Sequence, residues 1–209
     1  MDCTGSMEPW IQAAKDHIIN IVHKTQQETP EAGIRVAFIG YRDYGDETQI
    51  IRQNFGNVDA LLHQIEDVHA RGGDDIAEDV AGGLMNVRTL AWDCVAAKSI
   101  VHIADAPPHG IQFHQPWVSD RFPQGDPEGK DPLRILQSLS EDDIDYTFIK
   151  INDSTNIMIK EFHDVYTGTG QFQVMDLSYQ GVEEFAPAVF RSVTNTITRY
   201  SASQDPGEV

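Results

Sequence analysis

The stretch KSIVHIAD, residues 98–105, is a β-branched, mostly apolar run that stops on an acid. Apolar residues at consecutive positions mark a strand covered on both faces, as inside a parallel sheet, rather than one with a solvated face. An acid at its carboxyl end matters because open parallel sheets bind their ligands there. Whether the chain supplies the rest of such a sheet decides the fold.

Downstream, Ala106 to Asp131 is a long loop rich in Pro, Gly, Gln and Asp, and loops of that length in compact domains tend to be functional. PLRILQSLSE (132–141) reads as a helix and DYTFIKIN (145–152) as a strand. Residues 155–167 are helical, with Ile157, Ile159 and Phe162 turned inward together with Val165 or Tyr166. QFQVMDL (171–177) is the last strand, and residues 183–200 the last helix. Upstream, residues 76–92 form a helix weakened by Gly82-Gly83, and residues 57–70 another. IRVAFIGY (34–41) and TQIIRQNF (48–55) read as strands joined through RDYGDE into an antiparallel hairpin. Residues 8–28 repeat apolar side chains at helical spacing, with Ser6 at the N-cap position and Pro9 in the first turn.

This alternation predicts an α/β fold: a doubly wound, mostly parallel, Rossmann-like sheet flanked by helices. It occupies one domain over residues 1–200, followed by a polar tail, SASQDPGEV (201–209), expected to be disordered. The chain has 209 residues, and its 33 acids against 15 bases give a net charge of −18. That balance argues against nucleic acid, which needs a basic face, and against anionic membrane surfaces. It suits metal cations or a basic protein partner, and also a well-solvated surface. No apolar run reaches the ~18 residues of a membrane span, so no membrane insertion is expected. No secretory signal opens the chain, so a cytoplasmic location is the expectation. The two cysteines, Cys3 and Cys94, lack metal-ligand spacing and give no support for a disulfide.

Three loops carry oxygen donors: Asp2-Cys3-Thr4-Gly5-Ser6, Gly72-Gly73-Asp74-Asp75, and Asp105 at the end of KSIVHIAD. Hard oxygen ligands suit Mg²⁺, Mn²⁺ or Ca²⁺ rather than zinc or copper. In an extended turn residues i, i+2 and i+4 can face the same way, which puts Asp2, Thr4 and Ser6 on one side.

The pattern D-x-T-G-S, then a Gly-Gly-Asp loop, then a strand ending in Asp, resembles the von Willebrand factor type A (VWA) domain. GYRDYGD, RGGDDIAEDV and HIADAPPHG look most like the subgroup associated with alpha-kinases. The resemblance spans residue 2 to about residue 200. It implies a metal-ion-dependent adhesion site (MIDAS) built from Asp2, Thr4, Ser6, Asp74 and Asp105, with Asp75 as the competing register for Asp74. Asp74 stands where Thr is usual and adds a negative charge. The family's function, engaging a protein partner whose carboxylate completes the metal's coordination, is the expected one. Phe113, Trp117 and Phe122 of the long loop would contribute partner anchors. The alternatives are a fragment of an alpha-type kinase and a Mg²⁺-dependent hydrolase or phosphotransferase.

Enzyme signatures are sparse. There is no P-loop, no kinase set of motifs, and no second acid two positions after Asp2. A Ser6–His109–Asp105 triad can be drawn, but without a nucleophile elbow; His109 otherwise reads as a metal neighbour and His102 as a packed one. Glu78 and Asp79 read as helix-start acids, Asp43 and Asp46 as turn formers. The family also sets its first loop on the carboxyl end of a central strand, between the positions of IRVAFIGY and KSIVHIAD. Such a strand takes ~5–6 residues, and here Met1 alone precedes Asp2. The expectation is a gap between those two strands, or their direct closure.

Overall fold

The computed structural model describes residues 1–204. Along the chain run α1 (Glu8–Glu28), β1 (Val36–Tyr41), β2 (Ile50–Gly56), α2 (Val58–Glu66), α3 (Val80–Arg88), β3 (Lys98–Ala104), α4 (Pro132–Glu141), β4 (Ile144–Lys150), α5 (Asn156–Val165), β5 (Phe172–Asp176) and α6 (Phe185–Gln204). Helix starts are set by local chemistry. Asn57 accepts a hydrogen bond from the Ala60 amide, Asp79 from Gly82, and Asp131 from Leu133 and Arg134 ahead of Pro132. α6 continues to Gln204, four residues into the stretch expected as a tail; residues 205–209 lie outside the described residues.

β3, β4 and β5 form a parallel sheet in that order, with His102 opposite Phe148 and Phe148 opposite Val174. β4 is buried along its whole length, as a strand covered on both faces must be. β1 and β2 form the antiparallel hairpin, in a separate two-stranded sheet. Helices cover both faces of these strands. One apolar cluster gathers Ile11 and Ile21 of α1, Leu61 of α2 and Val189 of α6 against Ile103; the other gathers Leu84 of α3 and Leu136 of α4 against Tyr146 and Phe148.

The sheet is therefore mostly parallel and flanked by helices, but split. β1 and β3 face each other without pairing, and only the first residues of the chain lie between them. The Met1 amine donates to the Ile39 carbonyl (2.8 Å), Tyr41 N to Met1 O (3.1 Å), Cys3 N to Tyr41 O (2.9 Å) and Asp2 N to Ile103 O (2.9 Å). Beyond this stub the strands are separated by an apolar cleft of about 910 Å³. Of the two expected outcomes, the gap is the one found.

Candidate metal centre

The stub delivers Asp2 to the carboxyl end of both half-sheets, where it bridges Tyr41 in the parallel sense. Asp2 is fully buried, and its Oδ1 accepts from the Thr4 amide (2.9 Å) and the Thr4 hydroxyl (2.7 Å). Its other oxygen, Oδ2, has no partner. The chain then enters α1 through a 3₁₀ turn at Gly5–Met7, with Met7 N bonded to Thr4 O (3.0 Å). Ser6 sits exposed on that turn and does not cap the helix, because the turn places Met7 at the cap position.

The glycine loop closes over this first loop. Arg71 N donates to Cys3 O (3.1 Å) and Gly5 N to Gly72 O (3.3 Å). Arg42 ties the assembly from below, donating to the carbonyls of Cys3 (3.1 Å), Thr48 (2.8 Å) and His69 (2.8 Å). Gly72 and Gly73 both have positive φ, +79° and +82°, a region that strains other residues. A Cβ on Gly72 would lie 2.1 Å from Asp46 Oδ2, and one on Gly73 2.9 Å from Glu78 Oε1 and 3.2 Å from Thr4 Cβ. The two glycines thus let the loop pass between carboxylates.

That turn separates the neighbouring acids. The Asp74 side chain is 84% exposed and pairs with Arg121 (3.2 Å), so it does not join the buried group. Asp75 accepts from Arg121 N (2.6 Å) and leaves Oδ1 unpartnered. The buried acid beside Thr4 is Glu78, which sequence reasoning assigned to a helix start. It is 2% exposed, lies two residues ahead of α3, and pairs in the parallel sense with Pro108; its Oε2 has no partner. Asp79, one residue on, takes the helix cap and is placed as expected. Asp105 follows β3, and its Oδ1 is also buried without a partner.

Asp2, Glu78 and Asp105 thus contribute orphaned buried carboxylate oxygens from three separate segments, and Asp43 Oδ2 and Asp75 Oδ1 are orphaned as well. Native proteins satisfy nearly all such atoms, and carboxylates crowded away from water resist ionisation. Burial, and then the charge of Asp105, push Asp2 up to about 7. Burial, and then Asp2 and Asp43, push Glu78 up to about 10. A divalent cation would relieve both causes at once, and an all-oxygen donor set fits Mg²⁺, Mn²⁺ or Ca²⁺. The Thr4 hydroxyl can keep donating to Asp2 while offering a lone pair to such an ion.

Next to this group lies a second one, with the opposite character. His109 is buried, with Nε2 on Asp43 Oδ1 (2.7 Å) and Nδ1 on Asp120 Oδ1 (2.8 Å). Asp120 also receives His114 Nε2 (3.0 Å), Gly110 N (2.8 Å) and Phe122 N (2.8 Å). Burial alone would lower His109, but its two carboxylate partners together raise it; burial pushes Asp120 up, yet the bonds from His114, Gly110, His109 and Phe122 together hold it below the usual carboxylate range. Ligand atoms of Asp75, His109 and Asp120 lie within 4.8 Å of one another. Both ring nitrogens of His109 are engaged by carboxylates other than Asp105, so the Ser6–His109–Asp105 triad is not formed. His102 is packed in the core as expected, bonded to the Tyr41 hydroxyl (2.7 Å) and to that of Tyr146. Of the loop aromatics, Phe113 is buried in the core, Phe122 packs edge-on against His109, and Trp117 is 64% exposed. Both cysteines are free, and among the described residues no helix is long and apolar enough to cross a membrane.

No family model matches the chain. In sequence it is 29% identical over 170 residues to the alpha-protein kinase vwkA of Dictyostelium discoideum, a match covering 80% of this chain and 27% of that protein. The chain thus spans about a quarter of the length of that curated relative. In structure it is similar to the VWA domain of SpRpn10, with a TM-score of 0.54, 14% identity and 90% of each chain covered. It is also similar to a mutant of the PilB minor pilin from Streptococcus sanguinis, with a TM-score of 0.52, 12% identity, and 99% of this chain and 62% of that one covered. With helices on both faces of a mostly parallel sheet and an acid-hydroxyl loop at its carboxyl end, the chain has the fold of a VWA domain.

Proposed function

We propose that this domain is a metal-assisted protein-interaction module. Asp2, Thr4, Ser6 and Asp105 hold a Mg²⁺-class cation, directly or through water, and Glu78 supplies the further acid that the sequence pattern placed at Asp74. Asp74 belongs to the rim, paired with Arg121. A carboxylate from a partner protein completes the coordination, and the 106–131 loop surrounds the contact. The observation that carries this reading is the trio of Asp2, Glu78 and Asp105 among five orphaned buried carboxylate oxygens, the other two being on Asp43 and Asp75 beside them. The likeness to VWA folds and to an alpha-protein kinase supports a recognition role, within a longer chain in that relative.

The test is calorimetric. Mg²⁺ or Mn²⁺ should raise the unfolding temperature, by the equivalent of about 2.7 kcal/mol at a hundredfold excess over Kd. Asp105→Ala should remove the shift. A wild-type protein indifferent to both ions would end the metal reading. Capture of a partner should weaken in EDTA; EDTA-insensitive binding would move the interface elsewhere on the domain.

A further inference from the structure

Three carboxylates surround the His109 ring, and the protein does not fully satisfy them. Asp43, in the turn after β1, and Asp75, in the glycine loop, stand carboxyl to carboxyl. Each keeps one buried oxygen without a partner, and the Asp43 side chain is only 2% exposed. Burial, and then the facing Asp43 carboxyl, push Asp75 up, against the pull of the Arg121 amide. His114 and the backbone amides serve Asp120, which leaves Asp43 and Asp75 short of positive charge. Buried polar atoms are seldom left in this state.

The same residues have the spacing of metal ligands. Ligand atoms of Asp75, His109 and Asp120 lie within 4.8 Å of one another, and each is aimed by an outer partner. Asp43 Oδ1 holds Nε2 of His109 (2.7 Å), which leaves Nδ1 on the Asp120 side (2.8 Å). Asp120 is fixed by Gly110 N, Phe122 N and His114 Nε2, and Asp75 by Arg121 N. Metal-binding histidines take this form, with the second nitrogen held by a carboxylate. The side chains of His109 and Asp120 are 2% exposed, whereas Asp75 is half-buried, so the way in runs past Asp75.

We infer that Asp75, His109 and Asp120 form a second metal site, for a transition-metal cation of the Zn²⁺ class, distinct from the oxygen-only group beside it. Imidazole with two carboxylates suits Zn²⁺, whereas oxygen alone suits Mg²⁺. The ion binds Nδ1 of a neutral His109; the proton there leaves to solvent, and Nε2–H stays on Asp43. Three protein ligands leave a fourth position for water on the Asp75 side. In the metal-free protein an imidazolium proton bridges His109 and Asp120 instead, so the 106–131 loop is held in either state. The site needs nothing from Asp2, Glu78 or Asp105.

The probe is Zn²⁺, titrated by calorimetry into the 209-residue protein carrying Asp105→Ala, which takes the neighbouring group out of competition. A single Zn²⁺ should bind. Adding Asp75→Asn, which keeps an oxygen for the Arg121 amide, should weaken it by about tenfold or more, since even an outer partner of a metal ligand is worth that much. A second measurement needs no substitution: the ring nitrogens of His109 followed by NMR, with saturating Mg²⁺ present, at a pH where the metal-free ring carries both protons. Zn²⁺ should shift Nδ1 and leave Nε2 protonated, and Mg²⁺ alone should not deprotonate the ring. Absence of Zn²⁺ binding in Asp105→Ala would overturn the site. So would equal binding after Asp75→Asn, or a ring still doubly protonated at saturating Zn²⁺, which would place the ion on the surface.

Discussion

Two buried acid clusters lie side by side at the carboxyl end of the strands, and they are finished in opposite ways. Around Asp43 and Asp120 imidazole and backbone amides match most of the charge: Asp120 alone collects four donors, and both acids are held below the usual carboxylate range, although Asp43 Oδ2 and Asp75 Oδ1 keep no partner. Around Asp2, Glu78 and Asp105 there are acids facing acids, unpartnered oxygens, and pKa values of Asp2 and Glu78 raised to about 7 and about 10. The first cluster is a fastening, which pins the 106–131 loop to the turn after β1. The second is left without a positive partner, and on the reading proposed above a cation supplies it. Burial acts on both, and what differs is whether the protein itself supplies the positive partner.

Removing a partner should therefore hurt the fastening most. In Asp120→Ala, His109, His114 and the amides of Gly110 and Phe122 lose their acceptor together. Breaking a buried charge pair from one side costs roughly 3–5 kcal/mol. Urea unfolding should show a loss of that order, equal with and without Mg²⁺. A loss below about 1 kcal/mol would mean the loop is held by its apolar contacts, such as Phe113, and the network is incidental.

The next effect is pH dependence, in which the carboxylates of the two clusters govern different limbs. Asp2 and Glu78 have raised folded values, so the folded state binds more protons than the unfolded one above the usual carboxylate range. Their contribution is full below about pH 4 and falls as pH climbs through the folded values. His109, also raised, has the same sign: its contribution is full below about 6.5 and is lost as pH rises through its folded value. Asp120, lowered, contributes above about pH 4 and loses that contribution as pH falls through its folded value. Metal-free protein should therefore lose a few kcal/mol between about pH 5 and pH 8, and saturating Mg²⁺ should flatten the carboxylate part of that slope. Calorimetry across the range would break the comparison if the metal-free protein gained stability towards pH 8.

The contrast also separates what the sequence made legible from what it hid. The strands were legible because burial on both faces leaves continuous apolar runs, and Asp105 because it closes one of them; Asp2 and Thr4 were marked only by the D-x-T-G-S pattern. The choice among the acids of GGDDIAED was not. Two successive positive-φ glycines turn Asp74 outward, and Asp79 takes the helix cap, which leaves Glu78 in extended backbone against Pro108. A helix beginning at Val80 rather than at residue 76 would have signalled this; the unbroken acidic run concealed it. The fastening had no local sign at all, since Asp43 and His109 meet across 66 residues.

Glu78→Gln then sharpens the second cluster. In the metal-free protein it replaces a carboxyl that resists ionisation with a neutral amide of the same shape. It should stabilise that state by about 1–2 kcal/mol near pH 8 while reducing the Mg²⁺-induced shift. The corresponding change in the fastening, Asp120→Asn, should only destabilise. If Glu78→Gln destabilised the metal-free protein equally, Glu78 would be a structural acid like Asp120, and the distinction between the clusters would fail.

The smallest stability effect belongs at the edge of the loop. Phe113 and Phe122 are tied into the body, whereas Trp117 is 64% exposed beyond the His109 network. With little packing to lose, Trp117→Ala should change unfolding free energy by under about 0.5 kcal/mol, as surface substitutions do. On the proposed reading, a large aromatic held exposed on this loop has another use: exposed Trp is enriched among residues that dominate binding. Metal-dependent partner capture should therefore weaken by about tenfold or more in this variant, with the Mg²⁺ shift intact. Undiminished capture would place the partner on the metal alone, and the fastened loop would then serve to shape the site rather than to read the partner.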